Sequence, residues 1–572
     1  MQMGKNRRLA NVKTRRETGL DHVFQNLIIE TPFGKKEQKA AKPFYPGDEE
    51  ALKAELDRVG KLVDYIKDNK RTIEILSEVF MEVKDVARTL EKSGNSVLTV
   101  LEIYEVKTLL LLMEKYMKLL QSAEKTEFRH EDHHCCEPGE TAPAEQVGGN
   151  LIPEEYRLRD ISDLLDALDP RGDRINTFYI YDEFSPRLGE LRQEKRAIEI
   201  SIRKVQKEKR DEINREYGIM LTPKFDIVIS KSHPDFKKVS EIPELEMTDQ
   251  DYMSATFVLK PNDRVFELQK EIDRLSEAME EEEERICGVL SREIAAEKED
   301  ILFNCDRMGE FDFALAKAKY AIKHNCSKPE IVDEHVIEFE DGRNLQVEDI
   351  LNSKGKKYCP ISIELKDGVT CITGANMGGK TISLKLSGQI PILAQYGFFV
   401  PAKKARIGLS NFMQMLIGDS QSVERGLSSF GSEMEELKEI LDNSVERSVI
   451  LIDEIASGTN PVEGLALSRA LVDYLVDKPY ITLFTTHFET VTETDNVVNM
   501  QVVGLANCNF ELLNREIQYA NRRERINIIS KYMDYRLRRV EENKQVPKDA
   551  LNIAKMLGIS SEIIDRAKNY IK

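Results

Sequence analysis

The sequence contains no tryptophan, and aromatic residues occupy only 7% of its 572 positions. It has no run of about 18 apolar residues, the length that a membrane-spanning helix requires. Its eight cysteines are mostly isolated, which argues against the disulfide framework of a small secreted domain. The basic N-terminus is not followed by an apolar stretch, so no secretory signal is expected. These absences together predict a cytoplasmic protein that does not contact a membrane.

Acidic residues are in excess over basic ones, 101 to 83, which gives a net charge of −18. With 41% hydrophobic residues, a chain of this length is expected to form about three to five globular domains. An acidic chain is not a general nucleic-acid binder, so a DNA contact would need local basic surface. Residues 1–47 have ten basic and four acidic side chains, and residues 521–548 have nine and four. We expect a short helix at 21–30 followed by a loop in the first segment, and helices throughout 521–572.

Histidine and cysteine are concentrated in one polar segment, residues 127–153. Its candidate metal ligands are His130, His133, His134, Cys135 and Cys136. Adjacent Cys-Cys and His-His pairs suit one tetrahedral zinc ion poorly, and no second ligand pair follows at the usual spacing. We interpret the segment as a solvated loop, with a zinc site as the alternative.

The N-terminal half of the chain is predicted to be mainly helical. Apolar residues recur every three or four positions from Glu49 to about Lys125, which predicts a helical core. Two stretches with heptad spacing, 186–218 and 264–300, predict long helices that flank a small β-containing tip at 219–263. This pattern is typical of an antiparallel coiled-coil arm with a clamp at its end. Two helices of a globular bundle are the alternative.

A glycine-rich loop in the C-terminal half indicates a nucleotide site. The segment 371–381 (CITGANMGGKT) contains the pattern G-x-x-x-x-G-K-[ST], between a strand-like run and a helical pattern. Its backbone amides are expected to hold phosphates, Lys380 to reach the β- and γ-phosphates of ATP, and Thr381 to bind Mg²⁺. The predicted nucleotide-binding residues of the loop are Gly374, Ala375, Asn376, Met377, Gly378, Gly379, Lys380 and Thr381.

Two further strand-like runs end in candidate catalytic residues. The apolar run 448–452 (SVILI) is typical of a buried parallel strand and is followed by Asp453 and Glu454. An aspartate in this position can hold Mg²⁺, and the next glutamate can polarise the attacking water. The run 481–486 (ITLFTT) is followed by His487, which we interpret as a γ-phosphate sensor. A surface acidic pair and an ordinary core or surface histidine are the alternatives.

Taken together, these motifs resemble those of the MutS family, the ABC-like ATPases of DNA mismatch repair and their relatives. The segments that carry the resemblance are TGANMGGKT (373–381), FVPAKKARIG (399–408), LSSFGSEM (427–434), LIDEIASGTNPVEG (451–464) and TTHFE (485–489). The resemblance extends to the predicted arm at 186–300. It also includes residues 550–571, which are similar to the family's C-terminal helical dimerisation element.

The resemblance implies a homodimer, formed through the ATPase domain and the C-terminal helices, in which each ATP lies between two subunits. Ser428 then matches the serine that family members present to the γ-phosphate of the partner's nucleotide, and the loop 457–460 lies at the same interface. Tyr358 would stack on adenine. The catalytic set that follows is Lys380, Ser428, Glu454 and His487, with Mg²⁺ held by Thr381 and Asp453.

The predicted fold class is multidomain, α and α/β. In chain order, the predicted parts are a basic N-terminal segment (1–48), a helical core domain (49–185), lever helices (186–330) with a clamp tip at about 219–263, a MutS-type ABC ATPase domain (331–522) and a C-terminal helical dimerisation element (523–572). The ATPase is expected to drive opening and closing of the clamp through the levers.

The sequence departs from that of full-length mismatch-repair proteins. Only about 150 residues precede the lever region, and their pattern is helical rather than that of a mixed α/β mismatch-reading domain. The string Phe80-Met81-Glu82 fits the family's Phe-x-Glu wedge but falls within a helical pattern, so we treat it as chance. No C-terminal nuclease-type domain is expected. The tip has a net charge of −3 over residues 221–263, which would repel DNA.

Two functions are therefore open at this stage. The first is an ATPase that closes a clamp on DNA without reading mismatches, which the basic segments favour. The second is a protein-remodelling ATPase, similar to reactivase subunits of cobalamin-dependent aminomutases, whose arms would grip a client protein. The acidic tip favours this second function. A structural dimer with little turnover is a third reading, against which Glu454 and His487 argue.

Overall fold

The structure is a computed structural model that describes residues 8–126, 156–374, 379–418, 429–456, 459–505, 507–519, 521–540 and 549–570. The histidine and cysteine cluster at 130–136 lies outside these ranges. In the part of the chain that the structure describes, every helix is too short or too polar to span a lipid bilayer.

Helices account for most of the described residues. The α-helices are α1 (Val12–Glu17), α2 (Leu20–Gln25), α3 (Pro32–Ala40), α4 (Glu49–Asp68), α5 (Lys70–Glu82), α6 (Ala87–Ser93), α7 (Val100–Thr126), α8 (Ser162–Leu168), α9 (Pro186–Tyr217), α10 (Phe236–Ser240), α11 (Asp263–Ala296), α12 (Lys298–Lys323), α13 (Leu345–Ser353), α14 (Gly379–Gln395), α15 (Ser429–Asn443), α16 (Pro461–Leu475), α17 (Phe510–Gln518), α18 (Arg522–Tyr532), α19 (Asp549–Met556) and α20 (Ser561–Tyr570). Short 3₁₀ helices occur at Asp182–Phe184 and Glu489–Glu493.

The strands form three separate sheets. They are β1 (Asp226–Ser230), β2 (Leu245–Gln250), β3 (Ser254–Leu259), β4 (Glu330–Val332), β5 (Val336–Gly342), β6 (Ile361–Lys366), β7 (Gly368–Thr373), β8 (Lys404–Gly408), β9 (Phe412–Ile417), β10 (Ser448–Asp453), β11 (Tyr480–Thr485), β12 (Val498–Gly504) and β13 (Asp534–Arg539). The sheet orders are β1-β3-β2, β4-β8-β5-β6 and β13-β12-β7-β11-β10-β9.

The chain divides into two compact units. The first comprises Met1–Met81, Leu120–Tyr156 and Arg307–Lys572, and the second comprises Glu82–Leu119 and Arg157–Asp306. The helical domain predicted at 49–185 is therefore divided between the units, because its first helices pack with the C-terminal part of the chain. The mixed α and α/β class is observed, whereas the boundaries of the five predicted domains stay predictions.

The second unit is built around two long helices. Helix α9 begins at Pro186, whose fixed φ suits a first helical turn, and it ends at Gly218, which is left-handed with φ 67°. Helix α11 begins after Asn262, whose side chain accepts a hydrogen bond from the amide of Val265. The two helices pack side by side, and the three-stranded sheet between them in sequence has its own apolar core. The helices and the sheet occur where the sequence predicts them, and their role as lever and clamp stays a prediction.

A buried ion pair fastens the loop after α8 to helix α7 within the second unit. The side chains of Lys107 and Asp169 are only 1% and 2% exposed, and Nζ lies 3.0 Å from Oδ1. Lys107 also donates to the carbonyl oxygen of Thr177. Burial alone would raise the pKa of Asp169, but the amide of Arg174 and the amine of Lys107 hold this pKa below its ordinary value. Removal of either side chain would therefore leave the other charge buried without its direct ion-pair partner.

The first unit contains the six-stranded sheet. Strands β12, β7, β11, β10 and β9 are parallel, and only the edge strand β13 runs antiparallel to its neighbour. The central strands β7, β10 and β11 are buried along nearly their whole length because α14 covers one face and α15 and α16 cover the other. Lys317 of α12 ties this unit together: it pairs with Glu55 of α4 at 2.8 Å and donates to the carbonyl of Tyr396, directly after α14.

The prediction that residues 521–572 are helical throughout is wrong for one segment. Residues Asp534–Arg539 form β13 and pair with β12. Tyr535 and Leu537 are half-buried while Arg536 and Arg538 are exposed, so side chains alternate between the two faces of an edge strand. Pairing with β12 satisfies the backbone hydrogen bonds of this segment. A short, polar helix with nothing packed against it would be no more stable.

The basic N-terminal segment is built into the first unit. Helix α2 lies at the start of the short helix expected at 21–30, whereas α3 occupies part of the expected loop. Residues 9–25, here called the N-terminal strap, contain α1 and α2 and lie along β9 and α14. The amide of Met413 donates to the carbonyl of Leu9, and the amide of Met415 donates to Oγ1 of Thr14. Gly388 of α14 allows the close approach, since a Cβ there would lie 2.6 Å from Thr18. The strap thus covers the otherwise open edge of the sheet.

The buried ion pair in the second unit gives a stability prediction. Lys107→Ala should lower the free energy of unfolding by about 3–5 kcal/mol, because it leaves the Asp169 carboxylate buried without its main cation. Thermal and urea unfolding, followed by circular dichroism, measure this change. Lys115→Ala on the exposed face of the same helix is the matched control and should change stability by less than about 0.5 kcal/mol. Equal stability of the two variants would contradict the role given to the pair.

Candidate nucleotide site

The carboxyl ends of three parallel strands meet at one edge of the six-stranded sheet. Asp453 at the end of β10 lies opposite Thr485 at the end of β11, and Thr485 lies opposite Ile372 near the end of β7. Helix α14 begins shortly after β7, so its first residues lie at the same edge. In open α/β sheets, ligands bind at this edge.

Asp453 links the ends of two strands to the first turn of α14. Oγ1 of Thr381 donates to Oδ2 of Asp453 at 2.9 Å, and Oγ1 of Thr485 donates to Oδ1. A carboxylate beside a hydroxyl is a pair of hard oxygen donors, which suits Mg²⁺ bound together with phosphates. Both residues that the sequence predicts as Mg²⁺ ligands are thus adjacent and fit the ion. Thr485 was not predicted, although the Thr-Thr ending of the run 481–486 is a signal for it.

Lys380 is buried at the amino end of α14, where its amine has three oxygen neighbours. Nζ lies 2.8 Å from Oε1 of Glu454 and donates to the carbonyls of Gly374 at 2.9 Å and Thr486 at 3.4 Å. A buried ammonium at a helix N-terminus attracts anions. A phosphate bound here would compete with the Glu454 carboxylate for this amine.

The backbone around the two predicted loops has unusual conformations. Gly374 has φ 130°, which only glycine adopts readily, and this explains a glycine directly after β7. Glu454 and Ala456 are left-handed without being glycine, with φ 48° and 58°, at a cost of about 1–2 kcal/mol each. The amide of Glu454 donates to the carbonyl of Thr485 at 3.0 Å. Strained backbone of this kind is concentrated at functional sites.

A second glutamate contacts the same turn. Oε2 of Glu433 on α15 accepts a hydrogen bond from the amide of Ala456 at 3.2 Å. The sequence analysis did not single out Glu433, because nothing in a helical pattern shows which acidic residue faces a distant turn. This contact between α15 and the turn after β10 is visible only in the tertiary structure.

The structure brings together Lys380, Thr381, Asp453 and Glu454, but it does not join every predicted site residue to this group. His487 is exposed in the turn after β11, where its ring packs against Phe488 with centroids 4.4 Å apart. Tyr358 is half-buried in the coil between α13 and β6, and burial raises its pKa to about 12. Their roles stay predictions. The remaining predicted residues, Ala375, Asn376, Met377, Gly378 and Ser428, lie outside the described residues.

Comparison with known proteins gives one family match and several relatives. Residues 370–572 match the family described as MutS domain V. The chain is 36% identical over 244 residues to the protein named Endonuclease MutS2 of Clostridium botulinum (strain Okra / Type B1), an alignment that covers 42% of this chain and 30% of the relative. Proteins of the same name from Lachnoclostridium phytofermentans and Caldanaerobacter subterraneus subsp. tengcongensis are 31% and 28% identical over 332 and 400 residues.

The alignments differ in how much they cover. With the Lachnoclostridium protein, the alignment covers 57% of this chain and 38% of the relative, and with the Caldanaerobacter protein it covers 68% and 46%. The chain thus spans less than half the length of these relatives. The domain match contains Lys380, Thr381, Asp453 and Glu454, so the described site lies within the part of the chain that is shared.

The geometry at the amino end of α14 predicts the effect of removing its buried cation. Lys380→Met should abolish binding of a fluorescent ATP analogue, because no other buried amine lies at this point among the described residues. Fluorescence titration measures the binding. Lys385→Met, five residues along the same helix, removes a partly exposed lysine that pairs with Glu17, and it should bind the analogue as the wild type does. Unchanged binding by the Lys380 variant would show that the phosphates lie elsewhere.

Proposed function

We propose that the chain is a MutS-family ATPase that couples ATP binding and hydrolysis to the holding of DNA. The observation that carries this proposal is the convergence of Lys380, Thr381, Asp453 and Glu454 at the carboxyl edge of the sheet. All four residues fall within the segment that matches MutS domain V.

The ion pair between Lys380 and Glu454 suggests how hydrolysis is tied to binding. When the triphosphate occupies the loop before α14, its phosphate oxygens take over the Lys380 amine and release the Glu454 carboxylate. Glu454 then accepts a proton from a water molecule whose oxygen attacks the γ-phosphorus. The bond between the γ-phosphorus and the bridging oxygen breaks, ADP retains that electron pair, and inorganic phosphate leaves.

Thr381 and Asp453 would hold Mg²⁺, which neutralises phosphate charge when it is bound. Thr485 supports this role, because its hydroxyl fixes one carboxylate oxygen of Asp453 and leaves the other directed at Thr381. His487 is proposed to sense the γ-phosphate, and Tyr358 to stack on adenine. These two assignments rest on the resemblance of the surrounding motifs.

A homodimer completes the proposed site. Ser428 of one subunit would face the γ-phosphate bound by the other, as the LSSFGSEM motif implies. The C-terminal helices support dimer formation, because Leu557, Ile559, Ile563 and Tyr570 are exposed on or between α19 and α20. Clustered exposed apolar side chains usually mark a protein interface.

The second unit is proposed to act as a lever and clamp whose state depends on the nucleotide. Its long paired helices, α9 and α11, are suited to transmit a movement to the small sheet at their end.

DNA is the proposed ligand because the motifs resemble those of the MutS family, whose members act in DNA mismatch repair, and because the edge strand β13 is basic. In that strand, Arg536, Arg538 and Arg539 all have exposed side chains.

One observation favours a protein client as the second candidate. The tip carries a net charge of −3, and its turn between β2 and β3 exposes Tyr252 (94%) and Met253 (69%). An acidic surface with exposed apolar side chains suits a protein better than a phosphate backbone. In the N-terminal strap, Lys13 and Arg15 pair with Glu436 and Asp21, so these two basic side chains are already neutralised within the chain.

The role of Glu454 predicts a separation of binding from turnover. Glu454→Gln should bind the fluorescent ATP analogue but slow phosphate release by about 10²–10⁴-fold, because an amide cannot accept the proton of the attacking water. A phosphate-release assay measures turnover. Glu446→Gln, just before the amino end of β10, is the matched control and should keep wild-type turnover. Wild-type turnover in the Glu454 variant would remove this residue from the mechanism.

Salt dependence distinguishes the two proposed ligands. Fluorescence anisotropy of labelled duplex and branched DNA measures binding with ATP present. If DNA is the ligand, its affinity should fall steeply as the salt concentration rises. The expected slope of log affinity against log salt is about −0.9 for each phosphate contact on duplex DNA. Absence of DNA binding at low salt, in a sample that hydrolyses ATP, would contradict the DNA proposal and favour a protein client.

A further inference from the structure

Helix α15 contacts the turn that carries the proposed catalytic glutamate, and we propose that Glu433 of this helix is a positioning residue for Glu454. The proposal rests on the ATPase function proposed above. Glu433 would then belong to the nucleotide site, although this residue lies on a helix outside the strand ends and the glycine-rich loop that define the site.

Glu433 accepts a hydrogen bond from the strained turn at Glu454 and Ala456. Its Oε2 accepts from the amide of Ala456, two residues after Glu454, and both of these residues have left-handed φ values. A residue with a Cβ leaves this conformation easily unless its neighbours hold it there. The turn determines the direction of the Glu454 side chain. By accepting from the amide of Ala456, Glu433 therefore holds the Glu454 carboxylate close to Lys380.

The surroundings of Glu433 differ from those of a solvated surface acid. Its side chain is half-buried, and its Oε1 lies 3.6 Å from the place where a Cβ on Gly418 would be. The carboxylate therefore lies between the end of β9 and the turn after β10. Burial raises the pKa of Glu433 above its ordinary value, while the amide of Ala456 opposes this shift.

Helix α15 is held in a fixed rotation, so Glu433 has a defined position. One turn along the helix, Glu436 pairs with Lys13 of the N-terminal strap at 2.7 Å. The amine of Lys13 also donates to the carbonyl of Ile417 at the end of β9. Residues three apart lie on the same helix face, so this anchor acts directly beside Glu433. Toward the carboxyl end of the same helix, Leu437 and Ile440 are buried in the core that packs against the sheet.

Three variants test the proposal in the full-length chain. Glu433→Ala removes the acceptor, and Glu433→Gln keeps an oxygen at the same position without the charge. Glu439→Ala makes the same truncation at an exposed position of the same helix and is the matched control. For each variant, phosphate release gives kcat and KM for ATP, and circular dichroism with thermal unfolding reports whether the variant folds. Hydrogen exchange of the peptide around Glu454 reports on the turn without any need for turnover.

We expect Glu433→Ala to lower kcat by roughly 10- to 100-fold, because small displacements of a catalytic group have effects of this size. KM should change by less than about threefold, since Lys380 and the phosphate loop are untouched. Glu433→Gln should recover most of the lost turnover, and Glu439→Ala should match the wild type. Faster hydrogen exchange around Glu454 should be seen only in Glu433→Ala.

Two outcomes would overturn the proposal. One is a kcat for Glu433→Ala within about twofold of that for Glu439→Ala, and the other is a Glu433→Gln variant that folds but is as slow as Glu433→Ala. If Glu433→Ala fails to fold, the Gln variant and its hydrogen exchange decide the question. Absence of turnover in the wild type would instead contradict the ATPase function itself. Turnover that depends on Glu454 but not on Glu433 would contradict only the positioning role.

Discussion

In-register parallel pairing of β7, β11 and β10 is the constraint on which the nucleotide site depends. It places the end of each strand level with the next, so Thr485 can bond Asp453, and Asp453 can bond Thr381 at the start of α14. A slip of one residue would turn these side chains to the opposite face of the sheet. The apolar helices that cover both faces prevent such a slip, because every residue of β10 and nearly every residue of β11 is buried.

The supports of this site come from distant parts of the chain. The N-terminal strap covers the open edge at β9, and Lys317 of α12 binds the carbonyl that follows the far end of α14. Helix α15 is then held between Lys13 and the turn after β10. Helix α14 and the acidic turn after β10 are thus each attached to elements outside the sheet. A nucleotide that separates Lys380 from Glu454 would therefore have to displace a turn and a helix that other elements hold in place.

The second unit is stabilised by a different balance of forces. Its long helices have an apolar seam that is buried mainly toward their ends, at Leu188, Ile213, Ile272 and Ile286, while several central positions are only partly covered. Elsewhere in the unit, the buried pair of Lys107 and Asp169 holds a loop in which few apolar residues are available. Because the tip and α11 are acidic, electrostatics would decide which ligand the proposed clamp can hold.

Elements whose signals are local could be predicted from the sequence. The apolar strand runs with acids at their ends and the heptad stretches each depend on neighbours a few residues apart, and these strands and helices occur where predicted. Only the tertiary structure decided what depends on distant pairing. Residues 534–539 became a strand because β12 offers hydrogen bonds, the basic N-terminal segment became a strap because β9 has an open edge, and Glu433 reached Ala456 because α15 packs beside the turn. Contacts between residues far apart in sequence leave no periodic pattern in the chain, since a helical or strand pattern records only which face is buried and not what covers it.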